Sequence, residues 1–268
     1  MPARELTWPP ATPCWVDAQF DDPQAAAQFY AGLFGWDVGG PEDAHAGYRM
    51  ARIGGRPVAG IGPRDGALGA LTLTQPRAWT TYLATDDIGA SVTQVRSAGG
   101  QVLLEPTQIA DSGQMALAAD TAGVVFGLWQ AGKRIGAAWY NQPATLVWNE
   151  CLAPDPAAAR AFYTEVFGWE YDDLSTYDGL TYHAAKRSDG RVIGGVGALP
   201  PDAADIGAHW HTYFGAADTD VAVADVERLG GSVRRTPWQT PYGKMATVAG
   251  PAGEVFSFIQ INEDGDPV

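Results

Sequence analysis

The chain has 268 residues, of which 46% are hydrophobic and 18% charged, and it is rich in glycine (33), proline (19) and tryptophan (10). That composition supports a sizeable core with many turns, as in a strand-rich fold. The net charge of −14 excludes a polyanionic partner such as nucleic acid, since phosphate neutralisation needs clustered Lys and Arg.

No basic amphipathic stretch is present to meet an anionic membrane surface, and no run of about 18 apolar residues is present to span a bilayer. The opening "MPARELTWPPATPCW" lacks a basic start followed by an apolar run, so no signal peptide is expected and the expected location is cytoplasmic. Cys14 and Cys151 are isolated and stand at non-equivalent positions of the repeat described below, so neither a disulfide framework nor a thiol nucleophile is expected.

In chain order, "PCWVDAQF" reads as a short alternating strand. Asp22-Pro23 then opens a helix, the aspartate capping its N-terminus and the proline fitting the first turn. Phe29, Tyr30, Leu33 and Phe34 make one apolar face, and Gly35 supplies a stop. Strands are expected around residues 47–63 and 69–75. "WTTYLAT" is the next strand, "DDIGASVTQVRSAGG" a helix closed by a glycine pair, and "QVLLEPTQIA", "GQMALAAD" and "GVVFGLWQ" are strands.

The second half repeats this order at an offset of about 130 residues. "DPQAAAQFYAGLFGW" returns as "DPAAARAFYTEVFGW", "GRPVAGIG" as "GRVIGGVG", "WTTYLATDD" as "WHTYFGAAD", and "GQMALAADTAGVVF" as "GKMATVAGPAGEVF". The chain therefore divides into two homologous domains, 1–135 and 136–268, each with two βαβββ units. The doubled "FGW" ends the first helix of each half, and Trp36 and Trp169 are expected to close that helix onto the sheet.

Four βαβββ units, helices opening on aspartate with tyrosine further along, and a late D-x-x-G turn resemble the vicinal oxygen chelate superfamily. That superfamily includes glyoxalase I, extradiol dioxygenases and bleomycin-resistance proteins. "FYAGLFGW", "GRPVAGIGP" and "WTTYLATDD" are similar to a two-domain actinobacterial, glyoxalase-like subgroup, some of whose members are accessory proteins of antibiotic pathways, anthracycline ones included. The resemblance implies an α+β fold in which the four units form two open, mixed-sheet half-barrels. It does not by itself imply an activity, because this scaffold hosts enzymes and pure binders.

Enzymes of the superfamily hold a divalent cation with His, Gln and Glu on the inner face of the sheet. Counting from the helix-opening aspartates places Trp15 and Thr80 in the first half, and Trp148 and His211 in the second, at those ligand positions. The last ligand, usually Glu, falls on Gly127 and Ser257. Only His211 can ligate, and a metal site needs about three convergent donors. No metal and no other cofactor is expected.

Strand parity puts Asp17 beside Trp15, Glu150 beside Trp148, Tyr82 beside Thr80 and Tyr213 beside His211. Trp129 has the parity of the lost last ligand, and Trp238 lies on a late strand. The candidate ligand-binding set is therefore Trp15, Asp17, Thr80, Tyr82, Trp129, Trp148, Glu150, His211, Tyr213 and Trp238: aromatic walls with one carboxylate near each centre. Such walls suit a planar aromatic small molecule, with a cation favoured by the carboxylates. The expected role is sequestration of that molecule, as in self-resistance, or assistance to a biosynthetic enzyme as partner. The alternative is a cofactor-free lyase, isomerase or hydroxylase-like enzyme working through Asp17, Glu150 or His211. No catalytic residue is assigned.

Overall fold

In the computed structural model of the chain, residues 4–40, 47–65, 77–175, 181–200 and 203–261 are described. The first half runs β1 (Pro13–Phe20), α1 (Pro23–Phe34), β2 (Asp37–Val38), β3 (Arg49–Ile53), β4 (Arg56–Pro63), β5 (Thr80–Ala84), α2 (Ile88–Ser97), β6 (Gln101–Ile109), β7 (Gly113–Ala119) and β8 (Val125–Ala131). The second half runs β9 (Leu146–Ala153), α3 (Pro156–Phe167), β10 (Glu170–Asp173), β11 (Tyr182–Lys186), β12 (Val192–Ala198), β13 (His209–Ala216), α4 (Thr219–Arg228), β14 (Ser232–Thr240), β15 (Gly243–Ala249) and β16 (Val255–Gln260). The four βαβββ units are all present. The strand expected at 69–75 lies outside the described residues.

Each half builds one open eight-stranded mixed sheet, in the order β2-β3-β4-β1-β5-β8-β7-β6 and β10-β11-β12-β9-β13-β16-β15-β14. The first strands of the paired units, β1 with β5 and β9 with β13, run antiparallel at the centre. The fold is α+β and belongs with the open half-barrels that the sequence predicts. Among the described residues, no helix is long and apolar enough to cross a membrane.

Local chemistry sets the helix ends. The Asp22 and Asp155 carboxylates each accept two backbone N–H groups in the first turn, satisfying donors that the helix itself cannot. Gly35 and Gly168 close α1 and α3 at φ 67° and 68°, a left-handed conformation that costs a glycine little.

The sheets belong to single halves, but the helices do not pack that way. The face of α1 made by Phe29, Tyr30 and Phe34 joins one core with Phe214, Phe256 and Phe258 of the second half. Reciprocally, Phe162 and Tyr163 of α3 pack with Val92, Val95 and Phe126 of the first half. Trp36 and Trp169 therefore close their helices across the join as well as onto a sheet. Trp36 Nε1 donates to the Ala144 carbonyl at 2.8 Å, and Trp169 Nε1 to the Ala11 carbonyl at 3.0 Å.

A buried tyrosine–carboxylate pair pins each crossing. Tyr30 Oη donates to Glu254 Oε1 at 2.7 Å, and Tyr163 Oη to Asp120 Oδ2 at 3.4 Å. The two carboxylates come from opposite ends of the same turn. Asp120 is the turn's first residue, where the second half has Gly250, and a Cβ on Gly250 would meet the Glu254 carboxylate at 1.9 Å. At the centre of the molecule Asn149 Nδ2 bridges Thr81 Oγ1 (2.8 Å) and Thr212 Oγ1 (3.1 Å), fixing the register of one half on the other.

Fully burying one large apolar side chain stabilises by about 1.5–3 kcal/mol, so α1 without its three cross-half phenylalanines loses most of its anchoring. Residues 1–135 expressed alone are expected to be largely unfolded by near-UV circular dichroism, and mixing with 136–268 restores native signal. A cooperative thermal transition in either fragment alone would contradict this packing account.

Candidate functional site

The same four-residue network stands at the centre of both sheets. In the first half Trp15 Nε1 donates to Tyr48 Oη (3.1 Å), and Tyr48 and Tyr82 both donate to Asp17 Oδ2 (3.1 and 3.0 Å). Gln19 Nε2 adds a contact to Asp17 Oδ1 at 3.3 Å. In the second half Trp148 Nε1 donates to Tyr182 Oη (2.9 Å), Tyr213 Oη donates to Glu150 Oε1 (2.8 Å), and the Tyr182 hydroxyl supports the same carboxyl.

Glycines in β4 and β12 make this possible. A Cβ on Gly60 would fall 1.6 Å from Tyr48 Oη, and one on Gly195 2.0 Å from Tyr182 Oη. The glycines leave room for each tyrosine to cross the neighbouring strand and reach its carboxylate.

Both carboxyls are buried, Asp17 at 3% exposure and Glu150 at 7%. Burial pushes Asp17 up from 3.8 to about 7, with the Tyr82, Tyr48 and Gln19 hydrogen bonds pulling the other way. Glu150 is raised for the same reason, opposed by Tyr182, Tyr213 and Trp148. Tyrosine hydroxyls replace the water that these buried carboxyls lose.

Beyond this shared network the two faces differ. In the first, Trp15, Tyr82, Met115, Leu117 and Trp129 are buried in one cluster, with Tyr48 and Leu104 packed against it. Trp129 Nε1 donates to the Arg134 carbonyl at 3.0 Å. That face is packed aromatic core, so Trp15, Tyr82 and Trp129 do not form the open wall that strand parity suggests. Thr80, the register partner of Asp17, lines a small cavity of about 40 Å³ between the halves that Gln19, Arg64, Arg77, His209 and Glu254 also line.

The second face is more open: Trp148, Tyr182, Tyr213, Trp238, Met245 and Thr247 are all half-buried. The Arg235 guanidinium stacks on the Trp238 ring at 3.8 Å, where the first half has Leu104 and Thr107 and so no cation–aromatic pair.

His211 is fully engaged. Its Nδ1 meets His209 Nε2 at 3.0 Å, its Nε2 meets Ser257 Oγ at 2.8 Å, and Ser257 Oγ meets Thr247 Oγ1 at 2.9 Å. His209 Nδ1 reaches the Gly207 carbonyl at 2.8 Å. Burial holds both rings below the usual imidazole range.

These residues do not fit the divalent ion that the resemblance implies. The ligand positions hold Trp, Thr and Gly in one half, and in the other Trp, Ser and a histidine whose two nitrogens are both hydrogen-bonded. Among the described residues no three His, Cys, Asp or Glu side chains converge. Cys14 and Cys151 are buried, and burial raises both thiols, the opposite of nucleophile activation.

Sequence reasoning placed Asp17, Glu150, Tyr82, Tyr213 and His211 on these inner faces. It missed Tyr48, Tyr182, Arg235 and Thr247. The signal for the tyrosines was the glycine-rich strand beside them, which leaves space that some large side chain must fill.

Residues 15–129 match a glyoxalase-like domain family, and residues 146–258 match the glyoxalase/bleomycin resistance protein/dioxygenase superfamily. A Mycobacterium tuberculosis protein named "Putative glyoxylase CFP32" is 38% identical over 253 residues, covering 93% of this chain and 94% of its own length. The anthracycline biosynthesis protein DnrV of Streptomyces peucetius is 33% identical over 273 residues, covering 95% and 94%. Among solved structures, the Mn(II)-bound glyoxalase of Novosphingobium aromaticivorans has a TM-score of 0.64 at 16% identity, covering 94% of this chain and 83% of its own. The 2,3-dioxygenase LapB of Pseudomonas sp. KL28 has 0.64 at 14%, covering 97% and 96%. These structures share the fold.

The position of the Asp17 carboxyl carries a stability consequence. Below pH about 4 both folded and unfolded chains hold its proton and the group is neutral to folding. As pH rises towards 7 the unfolded chain ionises first, so stability falls, and the loss is complete above the folded value. Asp17→Asn removes that dependence. The urea midpoint of the variant minus that of the parent is expected to grow from pH 4 to pH 8, by at most about 4 kcal/mol in free energy. A difference that shrinks with pH would contradict the burial assignment.

Proposed function

Because this chain belongs to the glyoxalase/bleomycin resistance protein/dioxygenase superfamily, with relatives named for anthracycline biosynthesis, we propose that it binds a planar aromatic small molecule on its second inner face without a metal. The observation that carries this reading is the contrast between two equivalent faces. One is packed with its own side chains, while the other leaves Trp148, Tyr182, Tyr213 and Trp238 half-exposed around the buried Glu150. Aromatic walls bind a flat ring system by stacking, and the few polar groups among them orient it. Anthracyclines are fused-ring aromatics, and the relatives' names support that class. The protein holds such a molecule for, or hands it to, the biosynthetic enzyme that acts on it.

Two parts of the sequence expectation change. The ligand-binding set contracts to Trp148, Glu150, Tyr213 and Trp238, joined by Tyr182 and Arg235. His211 lies beneath this face. A cationic ligand is also less well supported: Asp17 is enclosed by tyrosines, and a guanidinium stands on Trp238. A second reading, a cofactor-free acid–base enzyme, draws support from the placement of Glu150 between two tyrosine hydroxyls. Glu150→Gln separates the two: a binder retains most of its affinity, whereas an enzyme loses turnover.

Tryptophan fluorescence titrated with fused-ring quinones tests the reading. Trp148→Ala is expected to weaken binding by about 2–4 kcal/mol, the range for a strong aromatic anchor, whereas Trp15→Phe lowers thermal stability and leaves affinity unchanged. The proposal fails if no compound binds below about 100 μM, or if Trp15→Phe weakens binding as much as Trp148→Ala.

A further inference from the structure

The chain of hydrogen bonds beneath the second face has only one possible direction when its histidines are neutral. The Gly207 carbonyl can only accept, so His209 carries its proton on Nδ1. His209 Nε2 is then an acceptor, so His211 Nδ1 donates to it. His211 Nε2 is in turn an acceptor, and Ser257 spends its single proton there. Thr247 must therefore donate its hydroxyl proton to Ser257.

That leaves the Thr247 oxygen with lone pairs only. Ser257 is fully buried, while Thr247 is half-exposed, so Thr247 is the end of the chain that meets a ligand. Arg235 is the register partner of Thr247 on the adjacent strand β14. Its guanidinium stacks on the Trp238 ring, which places a cation on this face.

The first half has none of this. Ala78, Thr80, Gly127, Leu117 and Leu104 stand where the second has His209, His211, Ser257, Thr247 and Arg235. A purely structural role would be needed equally in both sheets, yet the polar chain is confined to the sheet with the open face.

From this, and resting on the second-face reading above, we propose that Thr247 is the specificity-determining contact for a free hydroxyl on the planar ligand. The hydroxyl proton is donated to Thr247 Oγ1, and Arg235 supports the same ligand oxygen. The chosen class is a hydroxylated fused-ring aromatic rather than its O-alkylated counterpart. A methoxy group supplies no proton, so it leaves the Thr247 oxygen unpaired against apolar surface. The groups around this point are Glu150 on β9, Tyr182 on β11, His209, His211 and Tyr213 on β13, and Arg235 on β14. Burial keeps the histidines neutral near pH 7, which fixes the direction of the chain.

The test compares 2-hydroxyanthraquinone with 2-methoxyanthraquinone, the 2-position being too far from the ring carbonyls for an internal hydrogen bond. Binding is read by tryptophan quenching in the parent, Thr247→Val and Thr247→Ser. The parent is expected to prefer the hydroxy compound by about tenfold or more, Thr247→Val to bind the two within about twofold, and Thr247→Ser to restore the preference. Imidazole ¹⁵N shifts at pH 7 are expected to show both His209 and His211 protonated at Nδ1 and bare at Nε2. Equal binding of the two quinones by the parent, an undiminished preference in Thr247→Val, or an Nε2-protonated His211 overturns the proposal. If neither quinone quenches any of the proteins, the second-face reading itself falls, and this inference with it.

Discussion

A carboxylate taken out of water must be hydrogen-bonded or neutralised, and that constraint organises both halves of this protein. Each sheet carries one at its centre, on the first strand of the half, hydrogen-bonded by tyrosine hydroxyls. Tyrosine hydroxyls do the solvating, and each tyrosine needs a path to its carboxylate. The path crosses a strand in which Gly60 or Gly195 leaves out a side chain. The tryptophan beside each carboxylate then finds its own N–H partner in the tyrosine. Aromatic residues, glycines and acid are thus one unit, and losing any member leaves a buried polar group unpaired. The same device recurs at the crossings between halves, where Tyr30 meets Glu254 and Tyr163 meets Asp120.

From that shared frame the halves diverge. At the positions where the resemblance implies metal ligands, the two halves differ in what they carry. The first half uses tryptophan, threonine and glycine, and it fills its inner face with Met115, Leu117 and Trp129. The second keeps a histidine but binds both of its nitrogens internally, and it surrounds the opening with half-exposed rings and an arginine. Because α1 and α3 each pack into the opposite half, the packed half also braces the open one: the face bearing Trp148 sits on a sheet whose back is completed by α1.

Much of this was legible in the sequence, and the reasons are physical. The repeat, the aspartate caps and the Gly35 and Gly168 stops act locally, so their signals sit within a few residues of their effects. Strand alternation was enough to put Asp17, Glu150, Tyr82, Tyr213 and His211 on the inner faces. What it could not give was depth. Parity says which face a side chain occupies, not how deeply it is covered, so Trp15 and Trp148 read alike while one is buried and the other half-exposed. The crossing of α1 and α3 between halves was hidden too, since two equivalent apolar helices fit two equivalent sheets in either arrangement. Tyr48 and Tyr182 escaped notice because they act across a strand on residues about 31 positions away, reachable only through a glycine gap.

The central claim is that two structurally equivalent faces have separated into a packed support and a ligand site. A crystal structure of the protein grown with saturating 2-hydroxyanthraquinone tests it most directly. Ring density against Trp148, Tyr182 and Trp238, with Trp15 and Trp129 still in mutual contact with the first-half core, is the predicted result. Density seated on Trp15, or on both faces alike, would contradict it.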